Sequence, residues 1–268
     1  MAEPIIRFEA VSKSYGGQPV LKNFSLDVLP GELLTIIGRS GCGKTTALKL
    51  VNGLITPDAG RVLVQGEDVA KTDPVALRRR IGYAIQSVGL FPHMTVEKNI
   101  AYVPTISHLE GWKGPARRER ESALLRQVGL DPALADRYPR ALSGGQRQRV
   151  GIARALAAGP EILLMDEPFG AVDEITRGQL QEEILRIHRE SGITILFVTH
   201  DIAEALKLGT RVLVMDQGAA QQCDKPEEVL RRPATPFVSR LVDQQRRTCL
   251  LPEEQLADCT YSGAGRPD

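Results

Sequence analysis

No run of about 18 apolar residues occurs in the 268-residue sequence, so no segment is expected to cross a bilayer as a helix. The start, Met1-Ala2-Glu3-Pro4, lacks the basic and apolar regions of a signal peptide. A chain with neither feature is expected to stay in the cytoplasm, any membrane role coming through a partner subunit. Cysteine is scarce: Cys42, Cys223, Cys249 and Cys259 show no close pairing and no metal-ligand spacing, which reads as reduced thiols. Net charge is only +1, so neither nucleic acid nor an anionic membrane surface is expected as the main partner. Internal repeats and low-complexity tracts are absent too. What remains is an ordinary globular composition, 42% hydrophobic and 25% charged, with length enough for one large domain.

The hydrophobic pattern alternates between short apolar runs and helical stretches. Strands are expected around Ile5–Val11, Phe24–Val28, Leu33–Ile37, Arg61–Val64 and Ile81–Ile85, with a helix over Thr46–Val51. From about Val96 to Ala141 the texture changes: Pro104, Gly111, Gly114 and Pro115 break the chain before a charged stretch, Arg117-Arg118-Glu119-Arg120-Glu121. That cluster reads as a solvated helix face in a small helical lobe inserted into an α/β core. The core resumes with Ile162-Leu163-Leu164-Met165, unbroken as in a strand buried on both faces of a parallel sheet. A helix over Ile175–Ser191, a strand over Thr194–Val198, a helix over Ala203–Leu208 and a strand over Arg211–Met215 follow. The polar, turn-rich tail, 246–268, is expected to be poorly ordered.

Two motifs carry chemistry. Gly38-Arg39-Ser40-Gly41-Cys42-Gly43-Lys44-Thr45 fits the phosphate-loop spacing, Gly, four residues, Gly-Lys-Thr, between an apolar strand and a helix. Its glycines let successive N–H groups converge on phosphate oxygens, and the helix dipole adds attraction for an anion. Lys44 is expected to reach the β and γ phosphates of ATP, the Thr45 hydroxyl to ligate Mg²⁺, and Thr46 to add a further phosphate contact. Asp166-Glu167 follows the run ending at Met165 directly, where a parallel sheet presents its ligands. Asp166 is placed to hold the metal shell and Glu167 to polarise an attacking water; read alone, the pair could instead cap a helix, the less favoured of the two readings.

Leu142-Ser143-Gly144-Gly145-Gln146 lies between these motifs, and it resembles the signature of the ATP-binding cassette (ABC) family. The resemblance implies an α/β P-loop NTPase core of the ABC type, with an antiparallel β subdomain and an inserted α-helical lobe at about 96–145. It covers roughly Ile5–Val242 and places the domain in residues 1–245. It further implies two copies facing head to tail, with Ser143, Gly144, Gly145 and Gln146 of each closing over ATP held by the other. Tyr15 matches the residue that stacks on adenine, although alone it is as much a core residue as a ligand. Gln86 matches the glutamine linking the metal to the transmembrane partner, Asp173 the loop crossing the dimer interface, and His200 the switch histidine at the γ-phosphate. By this resemblance the catalytic candidates are Lys44, Gln86, Glu167 and His200, and the metal candidates Thr45, Gln86 and Asp166.

The interval of about 100 residues between phosphate loop and signature shows no sustained heptads, unlike the coiled-coil insertions of repair cassettes. An importer ATPase is therefore expected, peripheral at the cytoplasmic face, paired with permease subunits and indirectly with a substrate-binding protein. The segment Ile81 to Thr95 and the segment Glu167 to Asp173 with Thr176-Arg177 look like the ATPases of osmoprotectant importers for glycine betaine, choline or carnitine. Parts of both recur in polyamine, sulfate and other importers. Many quaternary-amine ATPases extend into paired cystathionine-synthase-type modules, and polyamine and sugar ATPases into a β-domain; neither is expected in the residues here.

Overall fold

The computed structural model describes residues 3–85, 88–170 and 172–248, with side chains described up to Asp243. In chain order it contains β1 (Ile6–Tyr15), β2 (Gln18–Val28), β3 (Leu33–Gly38), α1 (Lys44–Val51), β4 (Ala59–Val64), β5 (Glu67–Asp68), α2 (Pro74–Arg80) and β6 (Ile81–Ala84). Next come α3 (Val96–Ile106), α4 (Gly114–Gln127), α5 (Gly144–Leu156), β7 (Ile162–Asp166), α6 (Glu174–Ser191) and β8 (Thr194–Val198). The last elements are α7 (Ile202–Leu208), β9 (Arg211–Asp216), β10 (Ala219–Asp224), α8 (Pro226–Arg231) and α9 (Pro236–Thr248).

Among the described residues two sheets form. One is antiparallel, in the order β2-β1-β4-β5; the other has the order β10-β9-β3-β8-β7-β6. In the second sheet β9, β3, β8, β7 and β6 run parallel, and only β10 pairs antiparallel, on β9. The reason lies in the apolar runs. Ile162-Leu163-Leu164-Met165 and Ile195-Leu196-Phe197-Val198 are buried throughout, and successive side chains point to opposite faces. Leu163, Met165, Ile195 and Phe197 join the core beneath α5, α6 and the helical lobe. Ile162, Leu164, Leu196 and Val198 join the core shared with α1 and the antiparallel sheet. A third cluster packs Ile37, Val212 and Val214 against α7, α8 and α9. Strands that need cover on both faces can only sit centrally.

Between β6 and β7 the described elements are all helical, and two features there differ from the sequence reading. Pro104 does not break the chain: it lies buried inside α3, which ends two residues later at Ile106, so the one amide its ring removes interrupts only the last turn. On α4, Arg118, Glu119 and Arg120 are exposed as expected, but Glu121 turns inward. It is 2% exposed and bound to Arg117 Nε at 2.6 Å. Burial pushes its carboxyl up, and Arg117 pulls it partly back. The tail expected from 246 begins inside α9, and from residue 249 onward it lies outside the described residues.

Candidate active site

β3, β7 and β8 deliver their chemistry at the carboxyl edge of the parallel sheet. β3 ends at Gly38 and the loop that follows returns into α1. Gly43, at φ 105°, caps α1, and a Cβ there would lie 2.7 Å from Leu21 Cδ2 and 2.9 Å from the Val20 carbonyl oxygen. Gly43→Ala is therefore expected to destabilise the fold by about 2 kcal/mol, combining left-handed backbone strain with overpacking. Thermal unfolding checks it: a Tm unchanged within a degree would show that the turn has slack.

Lys44, 6% exposed, folds back on the loop, its Nζ donating to the carbonyls of Gly38 at 2.8 Å and Arg39 at 3.1 Å. Beside it Cys42 is buried, and that burial pushes its thiol up. Thr45 Oγ1 donates to Asp166 Oδ1 at 3.0 Å, bridging α1 to the end of β7. Burial pushes the Asp166 carboxyl up; the Thr45 hydroxyl opposes this, the Glu167 charge adds to it, and Lys49 and Lys44 pull it down.

Glu167 holds a left-handed backbone, φ 45°, rare for a side chain of its size. Its N–H donates to the Val198 carbonyl of the next strand at 3.0 Å, which fixes the turn. Oε2 lies 3.2 Å from Nδ1 of His200, two residues beyond β8 and with a side chain 68% exposed. Tyr15, at the end of β1, is 46% exposed with Lys13 Nζ 5.8 Å from its ring centroid. A cavity of about 320 Å³ joins Tyr15 to Ser40, Gly41, Lys44, Thr45, Thr46 and Glu167. A larger cavity, about 500 Å³, opens at the other end of the strands beside Gly31, Glu161 and Thr194. Glu161 there is bound by Gln65 Nε2 at 2.8 Å.

The signature residues form a second cluster, and among the described residues none of them lines the cavity at Lys44. Ser143 caps α5 in a reciprocal box: its Oγ accepts from Gln146 N at 3.2 Å, and Gln146 Oε1 accepts from Ser143 N at 2.9 Å. The predicted ligand Gln146 is thus occupied in shaping the helix end. A Cβ at Gly145 would come within 2.6 Å of Thr176 Cγ2 on α6. Thr176 N in turn donates to Asp173 Oδ1 at 3.0 Å, and the N–H groups it accepts hold the Asp173 carboxyl low. Gly145 and Asp173 are thereby packed through one threonine. Gln86 lies outside the described residues.

Three residues escaped the sequence. Tyr83 on β6 has its hydroxyl beside Asp166; burial first, then that carboxylate, pushes it up. Arg177 reaches from the first turn of α6 toward the His200 loop and α7, 3.9 Å from Asp201 Oδ2 and 3.6 Å from Glu204 Oε1. Arg154 binds the chain just after Gln86. Tyr83 and Arg177 lie in the segments that resemble importer ATPases, but that resemblance gave neither a role, so only their partners mark all three as site residues.

Fold and site together define a phosphate-loop α/β protein of the cassette type. A family model described as ABC transporter matches residues 21–170, more than half of the sequence, and the chain belongs to the ABC transporter family. It is 48% identical over 243 residues to the glycine betaine/carnitine/choline transport ATP-binding protein OpuCA of Bacillus subtilis (strain 168), covering 90% of this chain and 63% of that protein. It is 49% identical over 234 residues to the glycine betaine uptake system ATP-binding protein YehX of Escherichia coli (strain K12), covering 87% and 75%. The chain spans 60 to 64% of the length of several of its curated relatives. Among solved structures, the dimeric post-hydrolysis state of the ATP-binding cassette MJ0796 bound to ADP and Pi superposes with a TM-score of 0.76 at 33% identity, covering 82% of this chain and 98% of that one.

Proposed function

We propose that the chain is the ATP-hydrolysing subunit of an importer for a quaternary-amine osmoprotectant such as glycine betaine or choline. The observation that carries the ATPase reading is the meeting, at one edge of one sheet, of the Thr45–Asp166 pair at 3.0 Å and the Glu167–His200 pair at 3.2 Å beside Lys44. The similarity to OpuCA and YehX supports the cargo.

In this reading Lys44 leaves the Gly38 and Arg39 carbonyls for the β and γ phosphates. The loop from Gly38 through Ser40, Gly41, Cys42 and Gly43 cradles them, and Thr46 adds a further contact. Tyr15 stacks on adenine. Thr45 and Asp166 offer a hydroxyl and a carboxylate oxygen 3.0 Å apart, hard donors that fit Mg²⁺, and with Gln86 they would hold the ion where it offsets phosphate charge. Glu167 takes a proton from water as the water oxygen bonds to the γ-phosphorus; the bond to the β–γ bridging oxygen breaks, and ADP keeps that oxygen. His200 orients Glu167 and contacts the γ-phosphate.

A second copy completes the site head to tail, its Ser143, Gly144, Gly145, Gln146 and Asp173 closing over the ATP. The capped start of α5 suits that role, because its N–H groups and dipole favour an anion. Closure pulls on permease subunits, which hold the ATPase at the cytoplasmic face of the membrane and receive cargo from a substrate-binding protein.

Uptake of labelled glycine betaine and choline, in cells with and without the subunit at low and high osmolarity, tests the reading. Uptake lost without it, and restored by the wild type but not by Glu167→Gln, is the expected result. Unchanged uptake with redundant transporters removed rejects the osmoprotectant cargo and turns the search to polyamines, amino acids and inorganic anions.

A further inference from the structure

The helix that begins at the signature ends on an unusual contact. Arg154, in the last turn of α5, donates from Nη1 to the Gly89 carbonyl at 2.7 Å and from Nη2 to the Val88 carbonyl at 2.8 Å. Both receiving residues have left-handed backbone, φ 53° at Val88 and 55° at Gly89. For a β-branched residue such as Val88 that conformation is a genuine outlier, and it persists only when the surroundings over-determine it. One turn earlier, α5 presents Gly151 to the same place: a Cβ there would lie 2.9 Å from Val88 Cγ1. A fork that fits two adjacent carbonyls and a glycine that admits the side chain between them are independent features of one helix. Both point to the same two residues. Burial lowers the ease with which Arg154 holds its charge, and two carbonyl oxygens replace the lost water.

The grip extends to the surface. The Arg154 guanidinium lies 5.8 Å from the Phe91 ring centroid, and that ring packs on Tyr102 of α3 at 4.8 Å. Asn99, fully buried on α3, holds the same segment from the other side. Its Oδ1 accepts from Phe91 N at 2.8 Å, and its Nδ2 donates to the carbonyls of Phe91, Met94 and Thr95 at 3.2, 3.2 and 3.0 Å. Ser143 and Arg154 stand eleven residues apart on one helix, about 16 Å, with no break between them.

We propose that Arg154 is a positioning residue that joins the signature helix and the Val88–Met94 segment into one rigid unit, so that a movement of Ser143 is delivered to the surface around Phe91. The inference deepens the reading above, in which Ser143 meets ATP on the second copy and closure pulls on the permease. A lysine at 154 has one compact ammonium and cannot span both carbonyls as the planar fork does. Its rescue is therefore partial.

Hydrogen exchange on the full chain carrying Glu167→Gln, with and without ATP and Mg²⁺, is the test. With Arg154 in place, nucleotide is expected to slow exchange both at Ser143–Arg147 and at the distant amides of Phe91 and Met94. In Arg154→Ala the first protection remains, while the Phe91 and Met94 amides exchange about ten-fold faster with or without ATP. Arg154→Lys falls between the two. Gly151→Ala, which improves helix propensity and so does not threaten α5, shifts Phe91 and Met94 in the same direction. Equal protection of Phe91 and Met94 in Arg154→Ala and its parent overturns the proposal, and so does loosening spread evenly over both segments. If nucleotide protects neither segment in any variant, the shared-site reading fails; the nucleotide-free exchange of Phe91 and Met94 then decides on Arg154 alone.

Discussion

Glu167→Gln is expected to bind ATP as the parent does and to hydrolyse it about 10²–10⁴-fold more slowly, the usual loss when a positioned general base is removed. The carboxamide has the same shape, and the backbone that aims it is held by the Glu167 N–H on Val198 at 3.0 Å, which the substitution does not touch. The amide can still hydrogen-bond to His200 Nδ1, now 3.2 Å from the carboxylate. What it loses is the capacity to take a proton from water. ATP then stays whole between two copies, so light scattering should show a dimer with ATP and Mg²⁺ and a monomer with ADP. A variant that remains monomeric at saturating ATP and Mg²⁺ rejects the shared site, and turnover within a few-fold of the parent rejects Glu167 as the base.

Lys44→Ala acts on binding. The ammonium donates to the carbonyls of Gly38 and Arg39 at 2.8 and 3.1 Å, so binding ATP exchanges one set of charge-assisted hydrogen bonds for a stronger one to phosphate. Bonds to charged groups contribute about 1.5–3 kcal/mol each. Losing two of them, less the exchange, comes to about 3 kcal/mol, or roughly 10²-fold in Kd. Calorimetric titration with ATP reads this directly, and an affinity within a few-fold of the parent would remove Lys44 from the phosphate site.

These two residues were legible before any coordinates because their motifs are local. Lys44 needs only the glycine loop and the strand and helix on either side of it, all contiguous in the chain. Asp166-Glu167 needs only the apolar run that ends at Met165. β7, β8, β9 and α6 fall within a residue or so of where the pattern puts them, since a strand covered on both faces leaves an unbroken apolar run. β10 and the helices α2, α8 and α9 carried no such mark. β10 reads Ala219-Ala220-Gln221-Gln222-Cys223-Asp224, polar enough to pass for a loop, and it is a strand because β9 offers it an edge. Pro104 reads as a break because proline is a breaker in isolation, while its place in the last turn of α3 makes it tolerable.

The sequence by itself determined the class of protein, the order of its motifs and the identity of the groups along the candidate site, because each is written in adjacent residues with a fixed spacing. The tertiary structure alone decided which of those groups touch. Thr45 meets Asp166 across 121 positions, Glu167 meets His200 across 33, and Arg154 reaches Val88 across 66. Such contacts depend on strand order, on the backbone at Glu167 and Val88, and on which helix face turns inward. Those are set by the packing of the whole core around the sheet, and no local pattern encodes them.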